Sequence, residues 1–241
     1  MSRPRLDGVA STWPMAVVGL LLVASACDGS SPASAPSTRA DSPRSTGPRV
    51  VLEHRGPQPS DGMPRRATVR IPRIGLAGLV VEPYRGRPDD APGTRLQDRG
   101  LGASPHGPRG GTGPGGVGNY LVTAHRTSST RAFARIPELR RGDRVVVEAA
   151  GVRYVYEIRL TRSTSFRSDR SRARQEAAVP GRPGAAPTRA MVTLSTCATQ
   201  EDHTAGNYWS DEFHNPEHRI DKVGVLVASG PVRRRSPATR R

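Results

Sequence analysis

Cysteine is almost absent from this sequence, whose 241 residues include only Cys27 and Cys197. Cys27 falls within a segment that has the features of an export signal, so a mature domain would keep Cys197 alone. A single cysteine cannot form an internal disulfide, and a lone thiol in an exported chain is a candidate reactive group. The alternative interpretation is that Cys197 is simply a small, buried apolar side chain.

Long apolar runs are also missing. The run over residues 15–23 follows an arginine-containing start and precedes Ala24-Ser25-Ala26. It is shorter than the roughly 20 residues that cross a bilayer as a helix, and it predicts an export signal over residues 1–27. Small residues before Cys27 resemble a bacterial lipobox, so lipidation of Cys27 and plain cleavage both stay open. The protein is therefore expected outside the cytoplasm, either secreted or anchored to the outer face of the membrane.

Aromatic residues make up only 4% of the chain, and Lys222 is its one lysine among 37 basic residues. The formal net charge of +16 would favour a polyanionic partner such as nucleic acid. The arginines are scattered, however, aromatic residues do not interleave with them, and no nucleic-acid-binding motif occurs. No nucleic-acid partner is therefore predicted, and attraction to anionic wall polymers or lipid headgroups is the better expectation.

The composition divides the rest of the chain into three parts. Residues 28–66 are rich in Ser, Pro, Ala and Arg, which predicts a disordered linker because few large apolar side chains are present to offset the entropy of ordering. Residues 67–230 are expected to form one domain, and 231–241 a basic tail. Within the domain, strands are predicted wherever Val, Ile, Leu, Thr or Tyr are enriched between turn residues, at 67–76, 119–125, 144–149, 152–160, 190–197 and 223–228.

Turn residues indicate how these strands connect. Ala150-Gly151 separates two β-rich runs and predicts a hairpin. Residues 131–139 predict a short helix ended by Pro137, whereas 105–118 and 163–189 predict long loops. No long amphipathic helix is expected, so the domain should be mainly β, a barrel or sandwich with short helices.

Two predicted strands end in side chains that together can carry chemistry. The segment 119–125 ends at His125, and 190–197 ends at Cys197. The thiolate is the nucleophilic form of cysteine, and a neighbouring imidazolium lowers the pKa of a thiol. Strands hold such side chains more rigidly than loops do. This pairing points to nucleophilic thiol chemistry.

The same residues carry a resemblance to a known family. Thr193-Leu194-Ser195-Thr196-Cys197 matches the T-L-x-T-C signature of sortases, and Ala124-His125-Arg126-Thr127 resembles the His-Arg-Thr motif of the actinobacterial class E branch. His218-Arg219-Ile220 is similar to the sortase arginine that leads into the final barrel strand. The three motifs stand in the family order of His, Cys and Arg, and the likeness covers about 67–229. Papain-like thiol hydrolases place the cysteine ahead of the histidine.

The resemblance implies an eight-stranded sortase β-barrel that acts as a cysteine transpeptidase. Cys197 would attack the threonine carbonyl of a Thr-Gly type sorting signal on an exported protein, and a cell-surface amine would resolve the thioester. His125 would serve as general acid and base, and Arg219 would stabilise the oxyanion. Thr196 and Arg126 would bind substrate. No cofactor and no metal are predicted, and the protein is expected to be a monomer.

Several alternatives stay open. Arg126 and Lys222 are fallback cations should Arg219 be a surface charge. The segment 198–218 could form a specificity wall, or its His203, His214 and His218 a metal site, although no zinc spacing occurs there and Pro216 interrupts a helix. The fold alone would also suit a non-catalytic, basic wall-binding domain. A thiol hydrolase that uses water as acceptor is a third reading.

Overall fold

The structure is a computed structural model, and residues 56–232 are described here. Eight strands and three short helices follow one another along the chain, with two turns of 3₁₀ helix at Pro72–Ile74 and Ile136–Glu138. The strands are β1 (Ala67–Ile71), β2 (Leu76–Arg85), β3 (Gly102–His106), β4 (Gly118–Thr123), β5 (Arg144–Ala149), β6 (Val152–Ser165), β7 (Ala190–Cys197) and β8 (His218–Pro231). The helices are α1 (Ala91–Asp98), α2 (Asp169–Glu176) and α3 (Thr199–Thr204).

The strands close into one barrel in the order β1-β2-β3-β4-β7-β8-β6-β5. Two neighbouring pairs, β2 with β3 and β4 with β7, run parallel, and the others run antiparallel. Side chains alternate across each strand, and the inward set forms the apolar core, including Tyr120, Val122, Val192 and Leu194. The predicted eight-stranded, mainly β barrel is therefore confirmed.

The best-predicted elements are those with a strong β pattern. The predicted segments 144–149 and 190–197 coincide with β5 and β7. The predicted hairpin joins β5 to β6, because Ala150 and Gly151 both adopt the left-handed backbone (φ 48° and 76°) that two-residue hairpin turns favour. Among residues 56–232, no helix is long and apolar enough to cross a membrane.

Other predictions were wrong in detail. The segment 67–76 is not one strand, because β1 stops where Pro72 starts a 3₁₀ turn. Residues 131–139 contain only a 3₁₀ turn, and Pro137 lies inside its first turn rather than ending it. The predicted loop 163–189 includes the end of β6 and all of α2, and the predicted loop 105–118 begins with the last residues of β3.

The predicted export signal, most of the predicted linker and most of the predicted tail lie outside the described residues. The last part of that linker, residues 56–66, contacts the domain. The backbone N–H of Ser60 donates to Gly115 O (2.8 Å), and that of Gln58 donates to Ser229 Oγ (2.8 Å). These contacts attach residues 58–60 to the barrel.

Helix α2 covers the outer face of the β4–β7 pair. Asn119 on β4 donates through Nδ2 to Gln175 O (2.9 Å), and Gln175 Nε2 donates to Ser195 Oγ (3.0 Å) on β7. Since Val192 and Leu194 point into the core, Ser195 and Cys197 belong to this outer face. Cys197 therefore lies at the outer end of β7.

Candidate active site

The strand order brings three of the predicted residues to one edge of the barrel. Strands β4 and β7 are parallel neighbours, with Thr123 opposite Ser195, so the residues just beyond them, including His125 and Cys197, emerge at the same edge. Strand β8 runs the opposite way and begins there, with Arg219 directly opposite Cys197. The three motifs therefore meet although they are distant in sequence.

The Cys197 thiol is half-buried and surrounded by opposing charges. Burial raises its pKa above the ordinary thiol value, the Arg219 guanidinium lowers it, and the carboxylates of Asp89 and Asp211 raise it again. The net shift is upward, so the thiol is protonated at neutral pH in the absence of substrate.

The Arg219 side chain is fully buried and held on several sides. Its Nε donates to Asp89 Oδ2 (2.8 Å), and its Nη1 donates to Pro216 O (2.7 Å). The guanidinium carbon lies 3.9 Å from the centre of the Phe166 ring. Within residues 56–232, Nη2 is buried and has no hydrogen-bond partner. A rigid cation thus keeps one pair of N–H donors unused.

Asp89 is a site neighbour that the sequence analysis did not identify. It is buried, and its backbone is left-handed (φ 57°), a conformation in which Asp and Asn are enriched. Its Oδ1 accepts from Gln97 Nε2 (2.7 Å), which also donates to Thr123 Oγ1 (3.1 Å). An acidic residue in a loop of a charged chain offers no sequence signal for this position.

His125 follows the end of β4, with its side chain 13% exposed. Its Nε2 lies 2.9 Å from Asp98 Oδ1, at the end of α1, and its carbonyl accepts from Phe133 N (3.0 Å). No hydrogen bond joins His125 to Cys197 within the described part of the chain. The imidazole stands at the same edge as the thiol but is oriented by a carboxylate.

Thr196 and Arg126, predicted to bind substrate, both have protein partners. The Thr196 hydroxyl is buried and donates to Ala124 O (2.9 Å), which links β7 to β4. The Arg126 guanidinium is buried, pairs with Glu201, and donates to Cys197 O (3.3 Å). These contacts hold the end of β7 and the start of α3 against β4.

Lys222, a fallback cation in the sequence analysis, does not lie beside Cys197. Its Nζ donates to Leu139 O (2.8 Å), Pro137 O (3.0 Å) and Thr161 Oγ1 (2.9 Å), and burial lowers its pKa. It belongs to the opposite face of β8 from Arg219, because the two are separated by three positions along the strand. Its role is to bind the carbonyls at the end of the Ile136–Glu138 turn.

The histidines of segment 198–218 are spread over different contacts. His218 Nδ1 lies 2.7 Å from Asp202 Oδ1, and His203 packs its ring against Tyr208 at 4.8 Å between centroids. His214 sits on a left-handed backbone (φ 60°) in the following loop. No cluster of three or more metal-ligating side chains occurs in the described range 56–232.

Comparisons with known proteins bear on this geometry. A family model described as the sortase domain matches residues 69–209. Among solved structures, a sortase from Actinomyces oris has a TM-score of 0.54 at 17% identity, covering 76% of this chain and 91% of that one. A sortase E from Streptomyces avermitilis has a TM-score of 0.52 at 22% identity, covering 74% and 97%.

A further structural neighbour was solved with a tripeptide in its active site. It is a sortase E from Streptomyces coelicolor, with a TM-score of 0.53 at 20% identity, covering 75% of this chain and 98% of that one. At such identities the likeness concerns the fold. No curated protein matches the sequence significantly.

Proposed function

The chain belongs to the sortase family, and from that premise we propose that it is a class E-like cysteine transpeptidase with Cys197 as nucleophile, His125 as general acid and base, and Arg219 as oxyanion donor. Sortases act at the cell surface on exported proteins that carry sorting signals, and they use an amine as acceptor. We place this chain in the same setting, outside the cytoplasm. The meeting of the three side chains at one barrel edge is the observation that supports the proposal.

The first half-reaction would cleave the sorting signal between threonine and glycine. The Cys197 thiolate adds to the threonine carbonyl, and the resulting oxyanion accepts hydrogen bonds from Arg219 Nη2, whose donors have no protein partner within residues 56–232. The tetrahedral intermediate collapses by breaking the C–N bond, and protonated His125 gives its proton to the leaving amine. An acyl thioester on Cys197 remains.

The second half-reaction would transfer the acyl group to a cell-surface amine. Neutral His125 takes a proton from the incoming amine as its nitrogen attacks the thioester carbonyl, and Arg219 again binds the oxyanion. The C–S bond breaks and the Cys197 thiolate leaves. Because burial raises the thiol pKa, the reactive thiolate is the minor form at neutral pH, so the thiolate fraction, and with it alkylation of Cys197, should increase as pH rises.

For Thr196 and Arg126, the contacts favour a supporting role over direct substrate binding. Thr196 spans β4 and β7, and Arg126 holds the Cys197 carbonyl, so each would fix the position of the nucleophile. Substitution of either should weaken activity through the placement of Cys197.

A peptide assay tests the proposal. The full chain is incubated with peptides of the Leu-Ala-x-Thr-Gly and Leu-Pro-x-Thr-Gly types, with and without an added amine, and products are identified by mass. Cleavage with amine-dependent ligation, abolished by Cys197→Ala and by His125→Ala, is expected. Release of free acid at an unchanged rate with amine present would favour a thiol hydrolase. No Cys197-dependent cleavage would favour a wall-binding domain that lacks activity.

A further inference from the structure

The segment from Asp89 to Asp98 lies between the two basic side chains of the proposed site. Asp90 caps α1 by accepting from Gly93 N (3.1 Å), and Pro92 falls in the first turn, where it needs no hydrogen-bond partner. A helix of eight residues spans about 12 Å. Asp89 lies two residues before the helix begins, next to the capping Asp90, and Asp98 is the last residue of the helix.

The first carboxylate, Asp89, fixes the plane of the Arg219 guanidinium. The Nε–Oδ2 contact of 2.8 Å and the Nη1 contact to Pro216 O hold two edges of the fork, and Phe166 covers one face. With these three constraints the direction of Nη2 is determined. The side chain that must donate to a developing oxyanion is thus oriented before substrate arrives.

Asp89 is itself held by the helix. Gln97 Nε2 donates both to Asp89 Oδ1 (2.7 Å) and to Thr123 Oγ1 (3.1 Å) on β4. All three residues are buried. This chain of hydrogen bonds ties Arg219 on β8 to the strand that precedes His125.

The second carboxylate, Asp98, orients the imidazole. Asp98 Oδ1 lies 2.9 Å from His125 Nε2, so the carboxylate accepts a hydrogen bond from Nε2–H. The other ring nitrogen, Nδ1, is then the one that exchanges protons with substrate. Asp98 is 60% exposed, so its influence is screened by water and weaker than that of Asp89.

We propose that the Asp89–Asp98 segment positions both basic side chains of the site, Asp89 and Gln97 by fixing Arg219 and Asp98 by fixing His125. The inference rests on the proposed function. Asp89, Gln97 and Asp98 are positioning residues, since each acts through a side chain that would contact the substrate.

The variant Asp89→Asn tests the main contact. Asparagine tolerates the left-handed backbone and has the size of aspartate, but it carries no charge. Because the Asp89 carboxylate raises the Cys197 pKa, its removal should leave alkylation of Cys197 by iodoacetamide equally fast or faster at fixed pH. Peptide cleavage should nevertheless fall, with kcat lower by about tenfold or more and KM little changed, because Arg219 is no longer oriented.

The matched control is Asp90→Asn, which removes the same charge one residue away and keeps an N-cap residue of equal quality. It should retain wild-type kcat. Asp98→Asn should lower kcat by about threefold, in keeping with an exposed contact. If Asp89→Asn fails to fold, as judged by circular dichroism, Gln97→Leu replaces it, and a fall of kcat by about fivefold is expected.

Two results would overturn the inference. One is a kcat of Asp89→Asn equal to that of the Asp90→Asn control, and the other, where only Gln97→Leu folds, is a wild-type kcat for that variant. The failure of the proposed function looks different, because the wild-type chain would then show no Cys197-dependent cleavage at all.

Discussion

Replacing Arg219 by lysine separates the two contributions that its guanidinium would make to catalysis. Both side chains are cations, but lysine lacks the planar fork that donates in fixed directions. In the structure Nε donates to Asp89 and Nη1 donates to Pro216 O, while Nη2 has no partner among residues 56–232 and is the donor that we propose for the oxyanion. Lysine therefore keeps the charge near Cys197 and loses the directed donor.

The size of the charge effect follows from the strand pairing. Cys197 and Arg219 face each other across β7 and β8. A unit charge about 6 Å from the sulfur, at an effective dielectric constant of about 20, stabilises the thiolate by about 3 kcal/mol. Asp89 opposes this field, and if it cancels about half, the remainder is about tenfold in thiolate population.

Alkylation of Cys197 and peptide cleavage should therefore respond differently to the loss of the fork and to the loss of the charge. Alkylation of Cys197 by iodoacetamide, followed by mass spectrometry of the peptide that contains it, should change by less than about threefold in Arg219→Lys. It should slow by about tenfold when both charges are removed in the double variant Asp89→Asn/Arg219→Gln, which leaves no unpaired buried carboxylate. Peptide cleavage should fall by about a hundredfold or more in both.

One result would refute the reasoning about the donor. If Arg219→Lys cleaves peptide within about threefold of wild type, charge alone suffices and the directed Nη2 donor is unnecessary. If instead the neutral double variant is alkylated as fast as wild type, the Arg219 field is not what sets thiol reactivity.

The remaining predictions concern stability, measured by urea unfolding. Tyr156→Phe removes the hydroxyl that accepts from Gly115 N (2.7 Å), which leaves a buried donor unpaired and should cost about 1–3 kcal/mol. Gly115→Ala should cost at least as much, because a Cβ there would meet the Tyr154 ring at 2.2 Å and the backbone is left-handed. Burial raises the pKa of Asp221 above its ordinary value of 3.8. The stabilisation of the fold that comes with protonated Asp221 is therefore fully present below pH 3.8 and is lost as pH rises through the folded-state pKa. Asp221→Asn should lack this loss, and an equal decline of stability in both proteins as pH rises above 3.8 would contradict the assignment.

The elements that the sequence predicts well are those whose pattern is local. Strand β5 alternates buried and partly buried residues, and Ala150-Gly151 fits the turn that follows it. Strand β3, with the sequence GASPH, contains no β-branched residue and was not predicted. It is a strand because it pairs in parallel with β2, from Val81 opposite Gly102 onward. Such pairing depends on tertiary contacts and leaves no trace in local propensity.

The site divides in the same way. His125 and Cys197 were identified because each ends a recognisable β segment. Arg219 was identified because its motif directly precedes the last predicted strand. Asp89 and Gln97 were not identified, because their importance comes from lying beside Arg219 and Thr123, which are remote in sequence. A sequence that contains 21 acidic residues does not distinguish the one that is buried against a guanidinium.

The pairing of Arg219 with Asp89 affects how the proposed catalysis would be achieved. An arginine in the same place without a carboxylate partner would lower the thiol pKa more and would make the resting thiol more reactive. Here the Asp89 pair weakens that field while holding the guanidinium still. In the proposed mechanism, the hydrogen bond from Nη2 to the oxyanion would form only after the thiolate has attacked. Stabilisation confined to the transition state raises kcat without tightening substrate binding, which is why positioning variants should change kcat and leave KM nearly constant.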